Sequence, residues 1–139
     1  MAASITVVIH THNEEKNIQE CIDSARLLTK EIHIIDMDST DRTQDIVKKN
    51  GIKIFNFPFT TYVEPARKFG IKQSKSDWVF ILDADERMTP ELAEEIKEKV
   101  LQQKINQYRL AAIGYLAKIY LEENNGSNME DGGLTIKYD

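Results

Sequence analysis

The 139 residues hold a single cysteine, Cys21, so no intrachain disulfide can form and no cysteine-rich zinc site can be built. One thiol is the usage expected in a reducing compartment and points to the cytoplasm. Long apolar runs are also missing. No stretch reaches the roughly eighteen residues of a membrane span. The longest, Leu110 to Leu121, is interrupted by Lys118. It can pack in a core, rest on the inner face of a membrane or cover a second copy of the chain. Met1 to Ile9 has no basic start and too short an apolar run for a signal peptide. Without that signal, the sequon at Asn125-Gly126-Ser127 reads as chance. Positive charge is scarce too: 18 Lys and Arg against 23 Asp and Glu give −5, which excludes a broad nucleic-acid surface. No GxGxxG, Walker A or GxSxG pattern occurs.

What is present is an alternation of buried strands and amphipathic helices. Ile5 to Ile9 is a β-branched run typical of a strand covered on both faces. Glu14 to Thr29 carries Ile18, Cys21, Ile22, Ala25 and Leu28 at helical spacing. Ile32 to Ile35, Ile52 to Phe55 and Trp78 to Leu82 read as further strands, and Tyr108 to Ile113 as another candidate. Helices are expected around Ile46-Val47, closed by Asn50-Gly51, over about Val63 to Ser74, and after Thr89-Pro90. This order implies right-handed crossovers and an α/β fold with a mostly parallel sheet. The α/β domain is expected over residues 1–122, and the Gly/Asn-rich segment 123–139 as a flexible tail.

Polar clusters fall where three strands end, which is where open α/β sheets bind ligands. Asp83-Ala84-Asp85 places two carboxylates beside one strand end, oxygen donors suited to Mg2+ or Mn2+ completed by phosphate and water. Taken alone, an acidic turn before a capped helix explains them better, and the buried strand before them brings the two readings level. Asp36 can accept hydrogen bonds from a base or ribose, while Ser39, Thr40 and Asp41 can cap the next helix. Thr11, Asn13 and Glu14 offer a hydroxyl, an amide and a carboxylate, although Glu14 also suits a helix N-terminus. Arg67 can bind phosphate bidentately or sit on an exposed basic helix face. His10, His12 and His33 lack the spacing of a metal set and read as loop or packed residues.

The order of these segments resembles family-two glycosyltransferases. The stretches are Ile5-Thr-Val-Val-Ile-His-Thr-His-Asn-Glu-Glu-Lys-Asn-Ile, Ile34-Ile-Asp-Met-Asp-Ser-Thr-Asp-Arg-Thr, Ala66-Arg-Lys-Phe-Gly-Ile and Asp77-Trp-Val-Phe-Ile-Leu-Asp-Ala-Asp-Glu. Within that family the pattern looks nearest to lipopolysaccharide-core β-glucosyltransferases, and it covers about Ser4 to Val100. The resemblance implies a GT-A-type fold and inverting transfer of a sugar from a nucleotide diphosphate donor. It also implies a divalent ion, and UDP ahead of other nucleotides. By position it assigns Thr11, Asn13 and Glu14 to the nucleoside, Asp36 to the base, and Arg67 to the base and diphosphate. Asp83 and Asp85 match the D-x-D pair, with Asp85 as the direct metal ligand. Glu130-Asp131 is similar to the dipeptide that carries the catalytic base, but it lies much nearer the D-x-D than is usual. Family members are much longer, and their second half holds the saccharide or lipid-linked acceptor. This chain therefore reads as the donor-binding half, active itself or serving as a binding module in an assembly. A nucleotidyltransferase would show a glycine-rich loop after the first strand, and His10-Thr11-His12-Asn13 has no glycine.

Overall fold

The first strand, β1 (Ile5–Thr11), is buried along nearly its whole length, as its β-branched sequence requires. It lies between β2 (Ile32–Asp36) and β4 (Trp78–Asp83), both parallel to it, and β3 (Lys53–Asn56) extends the sheet beside β2. The protein is seen in a computed structural model that describes residues 4–62, 64–101, 109–112, 115–122 and 133–137. The helices α1 (Ile18–Ala25), α2 (Thr43–Lys49), α3 (Glu64–Gln73) and α4 (Pro90–Leu101) alternate with these strands.

Period-two alternation divides the core. Val7, Ile9, Ile34, Phe80 and Leu82 face α1 and α4, meeting Ile18, Ile22, Leu92 and Ile96. Val8, Ile35, Val79 and Ile81 face α3 through Ala66 and Ile71. At Gly70, α3 sits very close to the sheet. A Cβ there would lie 2.8 Å from Val8 Cγ1 and 3.1 Å from Ile35 Cγ1, so only glycine permits this approach. Gly51 is a glycine for a different reason: it meets nothing, but its φ of +68° closes α2 in the left-handed region. Thr89 caps α4 as its hydroxyl suggests, accepting the Leu92 amide at 3.1 Å.

The full strand order is β3-β2-β1-β4-β7-β6-β5, with β5 (Arg109–Ala112), β6 (Tyr115–Glu122) and β7 (Gly133–Lys137). The sheet is mostly parallel, as expected, with antiparallel pairs at β4–β7 and β5–β6. Leu110 to Leu121 thus supplies two sheet strands. The expected tail needs correction: residues 133–137 pair with β4 and β6. The alternating Leu134-Thr135-Ile136-Lys137 carries the strand signal, and the Gly/Asn-rich composition before it obscures that signal. Among the described residues, no helix is long and apolar enough to cross a membrane.

Candidate functional site

Connections leave β1 toward β2 on one side, and the chain returns past β1 to β4 on the other. This makes the gap beyond β1 and β4 the switch point of the sheet. Register brings Thr11 beside Asp36 and His10 beside Asp83. The segments singled out in the sequence therefore share one rim.

Two loops on that rim are laced together. Asn13 adopts φ +52°, which ends β1 and delays α1 to Ile18 instead of Glu14. Its side-chain oxygen accepts from the Thr40 amide at 2.7 Å and the Asp41 amide at 3.3 Å. Its own amide donates to Ser39 Oγ at 2.9 Å. Glu14 and Glu15 donate their amides to Thr43 Oγ1 and Asp41 Oδ2. On the other side, Asp38 at φ +54° accepts the Phe59 amide at 2.9 Å. The half-exposed Phe59 ring stacks on His12 at 3.9 Å.

Asp36 lies below this rim with no exposed surface. Its Oδ1 accepts from Thr11 Oγ1 at 2.8 Å and Ser39 Oγ at 2.6 Å, and its Oδ2 from the Ser39 amide at 3.0 Å and Gln44 Nε2 at 2.7 Å. A carboxylate has about four acceptor directions, and this chain's own donors meet all of them. A base reaching Asp36 would have to displace one. Burial alone would raise the Asp36 pKa, but the bonds from Ser39, Gln44 and Thr11 outweigh it and hold the carboxyl below its ordinary range.

On the β4 side, Arg67 is buried, and its Nη2 stands 3.6 Å from Asp83 Oδ1. Asp83 is partly exposed and Asp85, two residues on, is exposed. Glu86 closes the turn: its Oε1 accepts the Asp83 amide at 2.8 Å, and its amide donates to Asp83 O at 2.9 Å. Burial raises the Glu86 pKa. The bond from Asp83 opposes that rise, and the negative charges of Asp83 and Asp85 add to it. The turn thus carries two accessible carboxylates, Asp83 and Asp85, beside the carboxyl of Glu86. Among the described residues no group of three metal-ligating side chains is assembled. Glu130 and Asp131 lie outside the described residues.

His10 is buried below Arg67, its Nε2 donating to Ala66 O at 3.1 Å. Burial lowers its pKa to about 4. The Ala66 bond opposes this fall and the Arg67 charge adds to it. A second proton would sit on Nδ1, which is buried without a hydrogen-bond partner. In the unfolded chain His10 takes up its proton near pH 6.5, so this contribution to stability is full above that pH and is lost as pH falls toward about 4. Stability is expected to drop by about 2 kcal/mol between pH 7 and pH 5 on this account. Urea unfolding at the two pH values measures it. His10→Gln should flatten that slope, and an unchanged slope would remove His10 as its source.

Two contributors have no clear sequence signal. His12 is polar in a loop, and its place comes from Nδ1 donating to Met37 O and from its stacking on Phe59. Arg87 follows the D-x-D, but two of its partners lie 67 and 70 residues earlier, at Glu20 and Asn17.

The family model described as Glycosyl transferase family 2 matches residues 6–124. The chain belongs to glycosyl transferase family 2. An uncharacterized glycosyltransferase of Rickettsia typhi is 38% identical over 93 residues, covering 67% of this chain and 32% of that protein. The chain spans about a third of the length of such curated relatives. TarS of S. aureus shares the fold with a TM-score of 0.66 at 20% identity, covering 94% of this chain and 39% of that one. Glucosyl-3-phosphoglycerate synthase of Mycobacterium tuberculosis in complex with UDP aligns with a TM-score of 0.54 at 25% identity, covering 60% and 34%. That synthase is also known with Mn2+, UDP and glucosyl-3-phosphoglycerate bound. These neighbours confirm the GT-A-type α/β fold expected of a family 2 chain.

Proposed function

We propose that this chain is the donor-binding half of an inverting glycosyltransferase that takes a sugar from a nucleotide diphosphate, with UDP preferred. The observation that carries the reading is the convergence at one strand-end rim. The Thr11–Glu14 loop borders it on one side. On the other, buried Arg67 stands 3.6 Å from Asp83, with Asp85 exposed on the same turn. Thr11, Asn13 and Glu14 border the nucleoside position, and Asp36 acts by fixing Thr11 and Ser39. Arg67 is assigned to the diphosphate, whose oxygens a guanidinium can bind bidentately.

The donor set fits a divalent ion, Mn2+ or Mg2+, held by Asp85 with Asp83. Two carboxylates leave coordination positions for phosphate oxygens and water. When bound, such an ion would neutralise charge on the departing diphosphate. The mycobacterial synthase with UDP and Mn2+ supports the same reading. Its weight here rests on the residues of the rim.

The acceptor is a saccharide or lipid-linked saccharide of the cell envelope, by the likeness to lipopolysaccharide-core β-glucosyltransferases. The place of action is the cytoplasm or the inner face of the membrane. Glu130-Asp131 is the candidate for the base. A second reading is a non-catalytic nucleotide-sugar module that works in an assembly, with itself or another chain. Light scattering with and without donor separates the two, since a monomer that turns over donor needs no assembly.

Titration calorimetry of UDP, GDP and ADP, each with and without Mn2+, tests the donor reading. UDP is expected to bind best, and Mn2+ to tighten it. A chain that binds none of the three would end the donor reading. Binding indifferent to Mn2+ would end its metal component.

A further inference from the structure

Arg87 spans from the D-x-D turn to the start of α1. Its Nη1 donates to Ala84 O at 2.9 Å and to Glu86 O at 2.8 Å, two carbonyls of the turn that carries Asp83 and Asp85. Its Nη2 donates to Asn17 Oδ1 at 3.0 Å and Glu20 Oε2 at 3.3 Å. Asn17 in turn donates to Glu14 Oε2 at 3.1 Å, in the loop that follows β1. The far end of the same segment is tied separately, by Cys21 Sγ to Asp83 O and by the Met88 amide to Ser24 Oγ.

We propose that Arg87 is a positioning residue that holds the carboxylate turn at a fixed distance from the Thr11–Glu14 loop, so that both address one donor. The proposal rests on the donor reading above. A guanidinium suits the task because its planar fork presents two nitrogens to partners on opposite sides. One nitrogen holds the turn through main-chain oxygens, whose placement does not change with the charge of the side chains. The other holds the helix. Lysine brings the same charge but no fork, so it separates position from electrostatics.

The test is calorimetry of UDP with and without Mn2+ on the whole chain, for wild type, Arg87→Lys and Arg87→Met. The quantity read is the factor by which Mn2+ tightens UDP. Uridine binding without metal serves as a second readout, and thermal melts show which variants fold. Removing a group that orients a metal-bearing turn is expected to cut the Mn2+ factor roughly tenfold. Arg87→Lys, the milder change, should lose most of that factor while uridine binding stays within about twofold of wild type. An Arg87→Lys chain with the full Mn2+ factor would overturn the proposal, because charge alone would then suffice. A parallel loss of uridine affinity would also overturn it, since Arg87 would then be supporting the fold at large. Wild type that binds no UDP overturns the donor reading and this proposal together, whereas coupling retained in the variants overturns this proposal alone.

Discussion

Asp36→Ala is expected to destabilise the chain by about 4 kcal/mol, a large share of the stability of a domain this size. The substitution removes the acceptor of four hydrogen bonds, from Thr11 Oγ1, Ser39 Oγ, the Ser39 amide and Gln44 Nε2, the last of which keeps its bond to Asn56 Oδ1. Each donor loses a bond to a charged acceptor, and the site is closed to water at Asp36 itself. Asp36→Asn keeps the shape but turns one acceptor into a donor facing Gln44 or Ser39, so about half of that loss is expected. The sign with pH is fixed by the lowered pKa. The Asp36 contribution is present above about pH 4, the ordinary carboxylate value, and is lost as pH falls through the lower folded value. Denaturant melts from pH 7 down to pH 3 should show a shallower acid loss in Asp36→Ala than in wild type. A variant as stable as wild type would show that the four bonds contribute nothing net.

Asp85→Ala should act in the opposite way, sparing the fold and removing the chemistry. Asp85 is exposed on the turn after β4, so the melting temperature should change little. The like charges of Asp83 and Asp85 both push Glu86 upward, and removing one relieves that repulsion, so a slight gain in stability is the expected direction. Mn2+-dependent tightening of UDP should fall about 100-fold, or roughly 2.8 kcal/mol, because the proposed ion loses its direct protein ligand. Metal-free nucleoside binding should persist, since the Thr11–Glu14 loop is untouched. If Mn2+ tightens UDP equally in Asp85→Ala, the turn is not where the ion binds.

The fold was largely legible because its signals are local. Runs of β-branched and other apolar residues mark β1, β2 and β4, Asn50-Gly51 marks the end of α2, and Thr89-Pro90 marks the start of α4. Where the reading differed, a longer-range effect decided. α1 begins at Ile18 because Asn13 is pinned at positive φ by the second loop, about 27 residues away in sequence. β7 needs β4 and β6 as neighbours, and a five-residue alternation inside a polar stretch does not announce them. In the site, strand-end positions were readable, since Thr11, Asp36 and Asp83 close β1, β2 and β4, whereas the burial of Arg67 against Asp83 was not. What could not be read was who occupies a carboxylate. Asp36 looks available in a sequence, and only the packing of two loops shows its oxygens engaged. Arg87 was hidden for the same reason, since the partners of its Nη2 lie at the start of another element.

The lacing around Asn13 has a thermodynamic side. Among the described residues, two other than glycine, Asn13 and Asp38, stand in the left-handed region, each at a cost of about 1 kcal/mol. That energy is carried by the folded chain before any ligand arrives. A nucleotide meeting this rim does not have to order it, and the entropy of freezing two loops is absent from the association step. Under the proposed donor reading, nucleotide binding is expected to depend on fit to a rim whose two loops are already tied to each other.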